Sequence, residues 1–260
     1  CIRDRQHWAP DGDASDAIAA AWTMTALLRI RRFADAAAAD DALICGAVQL
    51  TQVSGAAGHE ARDVFSGMLA RLTQVSDYRN SPARHDHTAR LLLALQTCAE
   101  DRICDAFLAL RNMSTVDENT DVLRERDDLH AILLRSARDP LCDDLTRQFA
   151  LGALLNIVVK AEGHGCPFLR PLLDTLLDTI GLNAQSPRID LRITVSRALN
   201  NAIWYGKKDA YLRLCERRDD AERLFVHLFD HECASVRSYA LQCFKYFLYW
   251  NREAGAPLRW

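Results

Sequence analysis

His227 and His231 stand four residues apart with Cys233 close behind, a spacing that sets two imidazoles on one helix face beside a thiol, all donor types that zinc takes. The set has no C-x-x-C to complete it. Asp230 to Cys233 reads instead as a helix boundary, where His and Asp are ordinary surface residues, and no metal site is assigned. His85 and His87, in a polar loop, receive the same reading. Gly163-His164-Gly165-Cys166-Pro167 pairs an imidazole with a thiol, the material of nucleophilic catalysis, but Gly closing one helix and Pro opening the next is the punctuation of a joint. The chain has no Gly-rich phosphate loop, G-x-S-x-G elbow or H-E-x-x-H, so neither an enzyme nor a cofactor is expected.

The elements that would carry such residues are helices. Of 260 residues, 49% are hydrophobic and 26% charged, with only 11 Gly and 7 Pro; that balance lies far from the signature of disorder and supplies a full core. A net charge of −3 offers no global field for nucleic acid or an anionic membrane. The basic clusters Arg29-Ile30-Arg31-Arg32 and Lys207-Lys208 are surrounded by Asp and Glu, lack an aromatic stacking platform, and read as solvated helix faces. No apolar run approaches the ~20 residues of a bilayer span. Nine cysteines, mostly within apolar runs, fit a reducing compartment, cytosol or nucleus. Starting at Cys1 rather than Met, the chain is expected to be a fragment or processed form of a longer multidomain protein.

A polar lead-in over 1–13 precedes apolar spacing of three and four residues, the helical period, which predicts an Ala-rich first helix from Ile18 through Phe33 and further helices near 41–53, 59–75, 86–99, 103–112, 120–137, 142–161, 168–180, 188–205, 219–230 and 233–251. Strand-like alternation is nearly absent. The fold class expected is all-α, one armadillo/HEAT-like helical repeat solenoid over 14–260.

The repeat is clearest within 142–251. Residues 147–160, 192–205 and 237–250 superpose without gaps at a shift of 45, aligning Arg147, Arg192 and Arg237, then Ala153, Ala198 and Cys243, then Leu154, Leu199 and Phe244, then Val158, Ile203 and Leu248. That period falls in the range of HEAT and armadillo units.

At about 100° per residue, Ala150/Val195/Ala240, Leu154/Leu199/Phe244 and Val158/Ile203/Leu248 share one stripe, the expected core. Opposite lie Gly152/Arg197/Gln242, Asn156/Asn201/Tyr246 and Val159/Trp204/Tyr249, which in a solenoid align as rows along a concave groove. Asn156 and Asn201 offer the donor and acceptor that an extended peptide leaves unpaired. Arg197 adds a fork for carboxylates, while Trp204 and Tyr249 add flat apolar surface. The groove therefore suits an acidic peptide with an aromatic residue; Lys160, Arg237 and Lys245 are further basic contributors. Two other readings stay open. A mid-helix Asn can bridge neighbouring helices, and the repeats can serve as a scaffold that docks a folded partner by its outer helices.

Phe149-Ala150-Leu151-Gly152-Ala153-Leu154-Leu155-Asn156 resembles the LALR-x-x-x-N helix of the PUL domain, the armadillo-like C-terminal module of the phospholipase-activating protein family of ubiquitin-pathway adaptors. Ile189-Asp190-Leu191 followed by Ala198-Leu199-Asn200-Asn201 is similar to that family's next helix, and the interval from Asn201 to Arg237 resembles its spacing. The resemblance covers the last 110 residues; residues 1–139 share only helical character. Gly152 stands where the family has an Arg, and the chain stops earlier after Arg237 than the family does. The resemblance implies an adaptor in cytoplasm or nucleus that binds the acidic C-terminal tail of the valosin-containing AAA ATPase.

Overall fold

The computed structural model describes residues 19, 22–24, 26–38, 64, 67–68, 70–73, 103–115, 117–159 and 168–253. The lead-in over 1–13 and the helices expected near 41–53 and 86–99 lie outside them, and so does most of that near 59–75. Packing divides the chain into two compact units, Cys1–Asn119 and Thr120–Trp260, so the stack expected over 14–260 is described as two bodies. No strand occurs among the described residues.

In the first unit, α1 spans Arg31–Ala38 and α2 spans Ile103–Met113. Val64, Met68, Leu72, Phe107, Leu110 and Met113 are buried, and Asn112 donates to the Thr73 hydroxyl at 3.3 Å. Helix α3 (Asp117–Arg124) crosses the junction.

Where the period predicts one helix over 120–137, α3 ends at Arg124 and α4 runs Asp127–Arg138. Asp127 and Asp128 open α4, where carboxylates favour the positive end of the helix dipole. Arg126 ties the corner through two 3.1 Å bonds to Asp128. The buried His130 ring donates from Nε2 to the Leu123 carbonyl at 2.9 Å, a second donor beside the Arg126 N–H at 3.3 Å on a carbonyl in the last turn of α3.

Three long helices dominate the second unit: α5 (Asp144–Val159), α7 (Ile189–Glu216) and α9 (Ala234–Glu253). They start 45 residues apart, the shift read from the sequence. Helix α5 packs on α7 and α7 on α9, while α4, α6 (Leu169–Asp178), a π-helical turn at Ile180–Ala184 and α8 (Arg218–Phe229) cover their backs. The expected core stripe is where burial concentrates: Ala150, Val195 and Ala240 are sealed, as are Leu154, Leu199, Val158 and Ile203. Only at α9 does it loosen, with Phe244 and Leu248 half-buried. α5 is buried nearly all round because it lies between α4 and α7.

Side chains staple one repeat to the next. Asn183 in the π-helical turn donates to the Ala137 carbonyl at the end of α4 at 2.9 Å, and His227 in α8 donates from Nε2 to the Ala184 carbonyl at 2.8 Å. Each supplies a donor to a helix-end carbonyl.

The apolar period stops near Tyr205, yet helical backbone resumes after one non-helical residue, Lys207, at φ 51 and ψ −128. The second arm runs on to Glu216, a helix the period did not predict. Lys207 thus sits at a break between two arms rather than on a helix face.

Candidate functional site

The polar rows of the long helices come together as follows. Gly152 is buried, but Arg197 and Gln242, its counterparts on α7 and α9, are exposed. Asn156, Asn201 and Tyr246 are all half-buried. Val159 is half-buried, while Trp204 and Tyr249 are 46% and 53% exposed, large values for such rings. Trp204 on α7 leans across the repeat boundary onto Tyr246 on α9, ring centroids 4.5 Å apart and tilted by 42°. Tyr249 meets Trp250 edge-on at 4.9 Å.

One face of α7 and α9 therefore carries an exposed guanidinium, an amide and an aromatic shelf within three turns of helix. Lys207 and Lys208 are exposed just beyond Trp204. Aromatic surface of this kind packs an apolar side chain, and a nearby Arg holds a carboxylate bidentately.

Other expected residues fall elsewhere. Arg237 donates from Nη1 to the carbonyls of His231 and Glu232, each at 2.7 Å. Arg147, two repeats back, uses its guanidinium alike, on the Cys142 carbonyl and the Asp144 carboxylate. Arg147 and Arg237 thus each close the loop before a long helix, while Arg192, between them in the column, shows no such bond among the described residues. Lys245 is exposed, but its counterparts Leu155 and Asn200 are buried between repeats, so it lies on the stacking side of α9. Lys160 lies outside the described residues, as do His85, His87, His164 and Cys166.

The histidines weighed for zinc are hydrogen-bonded inside the fold. His227 Nε2 is spent on Ala184, and His231 Nδ1 accepts the Cys233 N–H at 2.9 Å. The two rings stand 6.4 Å apart, and no group of three or more His, Cys, Asp or Glu able to hold a metal ion occurs among the described residues. Burial first, then Arg192, pushes His231 below the ordinary imidazole range.

Sequence reasoning missed the Trp204–Tyr246 contact, since Tyr246 was placed in the Asn row. Positions 204 and 246 each lie three residues from the other's column but on different helices, and no spacing within one helix reports a contact made across a repeat boundary.

Neither the models of protein families nor the curated proteins contain a match to this chain. Solved structures do match it. An engineered protein aligns at TM-score 0.70 with 14% identity, over 93% of this chain and 94% of its own. A designed armadillo repeat protein aligns at 0.67 with 15% identity, over 92% and 96%. Another, in complex with the peptide (KR)4, aligns at 0.65 with 16% identity, over 92% and 95%. The fold is an armadillo-like helical solenoid. In armadillo terms, α5, α7 and α9 are the long helices of successive repeats, and their exposed rows form the candidate groove. Among the described residues no helix is long and apolar enough to cross a membrane.

Proposed function

We propose that this armadillo-like chain is a non-catalytic peptide-binding module whose groove along α7 and α9 takes an extended acidic peptide. The observation that carries the reading is the aromatic shelf of Trp204 and Tyr246, built across a repeat boundary and left open beside Arg197 and Asn201. Neither Arg197 nor Asn201 has a hydrogen-bond or ion-pair partner among the described residues. Both keep their donors for a ligand. Asn156 and Asn201 would bond the peptide backbone, Arg197 a carboxylate, and Trp204 with Tyr249 its apolar side chains. Among the structural neighbours, one designed armadillo repeat protein is in complex with (KR)4, a basic peptide. Here Arg197, Lys207 and Lys208 are exposed near the shelf with Asp209 beside them, an excess of cations that favours the opposite sign.

The PUL resemblance names the ligand to try first, the acidic C-terminal tail of the valosin-containing AAA ATPase, and with it an adaptor role in the ubiquitin pathway in cytoplasm or nucleus. Fluorescence anisotropy of a labelled acidic C-terminal peptide, with a Lys/Arg peptide as control, tests the reading. Arg197→Glu or Trp204→Ala is expected to weaken acidic-peptide binding about tenfold or more. Unchanged binding by a helical, folded Arg197→Glu/Asn201→Ala protein would reject the groove and favour docking by the outer helices.

A further inference from the structure

Each long helix of the second unit offers one column of side chains to the helix that follows it. On α5 the column is Leu151 and Leu155, both buried, and Arg188, the residue before α7, donates from Nε to the amide oxygen of Gln148 one turn ahead of them, at 3.1 Å. On α7 it is Ser196 and Asn200, buried under α9, whose Cys243 thiol stands 3.9 Å from the Ser196 carbonyl and 4.0 Å from the Asn200 amide oxygen. The shift of 45 carries the column to Leu241 and Lys245 on α9, and there both are exposed.

Cys243, Tyr246 and Phe247 turn α9 toward α7, against Ser196, Trp204 and Tyr211. Roughly half a turn round the helix, at about 100° per residue, stand Leu241, Lys245, Leu248 and Arg252. Steps of four, three and four residues make them one stripe about 16 Å long. The equivalent columns on α5 and α7 are covered by a helix, so a helix is the shape this stripe fits. The chemistry of the seat differs: Leu155 and Asn200 are neutral, whereas Lys245 brings a cation into their column. Lys245 and Arg252 make no hydrogen bond or ion pair among the described residues. Arg237, on the same side, spends its Nη1 on loop carbonyls, and Glu253 at the end of α9 is that helix's one carboxylate. A helix that covers the stripe must therefore bring acidic side chains beside its apolar ones.

Two nearer occupants lack them. A second copy paired about a two-fold axis sets the stripe against itself and brings its cations together. Residues 254–260 carry Arg259 and no acidic side chain. We infer that the outer face of α9 is a docking site for an amphipathic acidic helix of a partner protein, its apolar stripe seated on Leu241 and Leu248 and its Asp or Glu side chains paired with Lys245 and Arg252. The site lies round the helix from the groove of Arg197 and Trp204 and does not rest on it.

The probe is a labelled peptide of about 20 residues, long enough to be helical alone, with a leucine stripe flanked by Glu; its control has Lys in place of Glu. Fluorescence anisotropy with the full chain is expected to show the Glu peptide binding about tenfold tighter than the control. Lys245→Glu with Arg252→Glu is expected to weaken the Glu peptide about tenfold, while Arg197→Glu leaves it within about twofold. Equal binding of the two peptides overturns the proposal whether or not the variants fold. So does binding lost in folded Arg197→Glu and kept in the double variant, which would put the helix in the groove. Sedimentation of the chain as a dimer that Leu241→Asp dissolves would assign the face to a second copy, and absence of saturable binding would leave it to residues 254–260 or to solvent as a terminal cap. Either result also overturns the proposal.

Discussion

His130 is 3% exposed, donates to the Leu123 carbonyl and rests on the Phe168 ring at a centroid distance of 4.1 Å. Burial pushes its pKa below the ordinary imidazole value, against the smaller opposing pull of the Leu123 carbonyl and of Asp127 and Asp128. In the unfolded chain the same ring takes a proton near the ordinary value, so below it the unfolded state binds more protons than the folded one. Stability is then complete above the ordinary range and is lost as pH falls through it. His231 is shifted in the same direction and adds to the effect. The thermal midpoint is expected to drop between about pH 7.5 and about pH 5.5, and His130→Gln, which keeps a side-chain N–H for Leu123, is expected to shrink that drop. Parallel melts of the two proteins check this; equal drops would remove His130 from the account.

Packing and backbone strain meet at the break in α7. A Cβ on Gly206 would stand 2.3 Å from Leu169 Cδ2 and 2.8 Å from the Ala210 Cβ, so the start of α6 presses on the chain where a side chain has no room. The positive φ falls not on this glycine but on Lys207, a conformation that strains a residue with a Cβ. Gly206→Ala is expected to destabilise by about 1–3 kcal/mol through overpacking. Lys207→Gly is expected to stabilise by about 1 kcal/mol, strain relief exceeding the added chain entropy. Urea unfolding midpoints of the two variants should move in opposite directions.

Across the stack, one column changes role with position. Leu151 and Ser196 are sealed, whereas Leu241, the same column on α9, is 61% exposed. Each long helix buries that column against its successor, and no helix follows α9 among the described residues. Leu151→Ala is expected to cost about 3 kcal/mol, as a cavity inside the stack. Leu241→Ala is expected to cost less than about 0.5 kcal/mol. Chemical denaturation of both variants measures the difference, and similar losses would mean that α9 has a covered outer face. The stack also accounts for Lys245: periodicity gave its angle on the helix, but that angle becomes groove or interface only according to what packs beside it.

The helical class, the 45-residue unit and the core stripe were legible in the amino-acid order because they arise from local side-chain spacing, which each helix repeats whatever its neighbours do. Arg197, Asn201 and Trp204 could be named as one polar face for the same reason. Which polar groups remain available was settled only in three dimensions. Arg237, His227 and Asn183 are bound to backbone carbonyls of loops and neighbouring repeats, up to 46 residues away. The break at Lys207 and the Trp204–Tyr246 shelf likewise depend on how one repeat sits on the next. Hydrogen-bond partners and ring contacts are chosen by tertiary proximity, and a helical period carries no information about it.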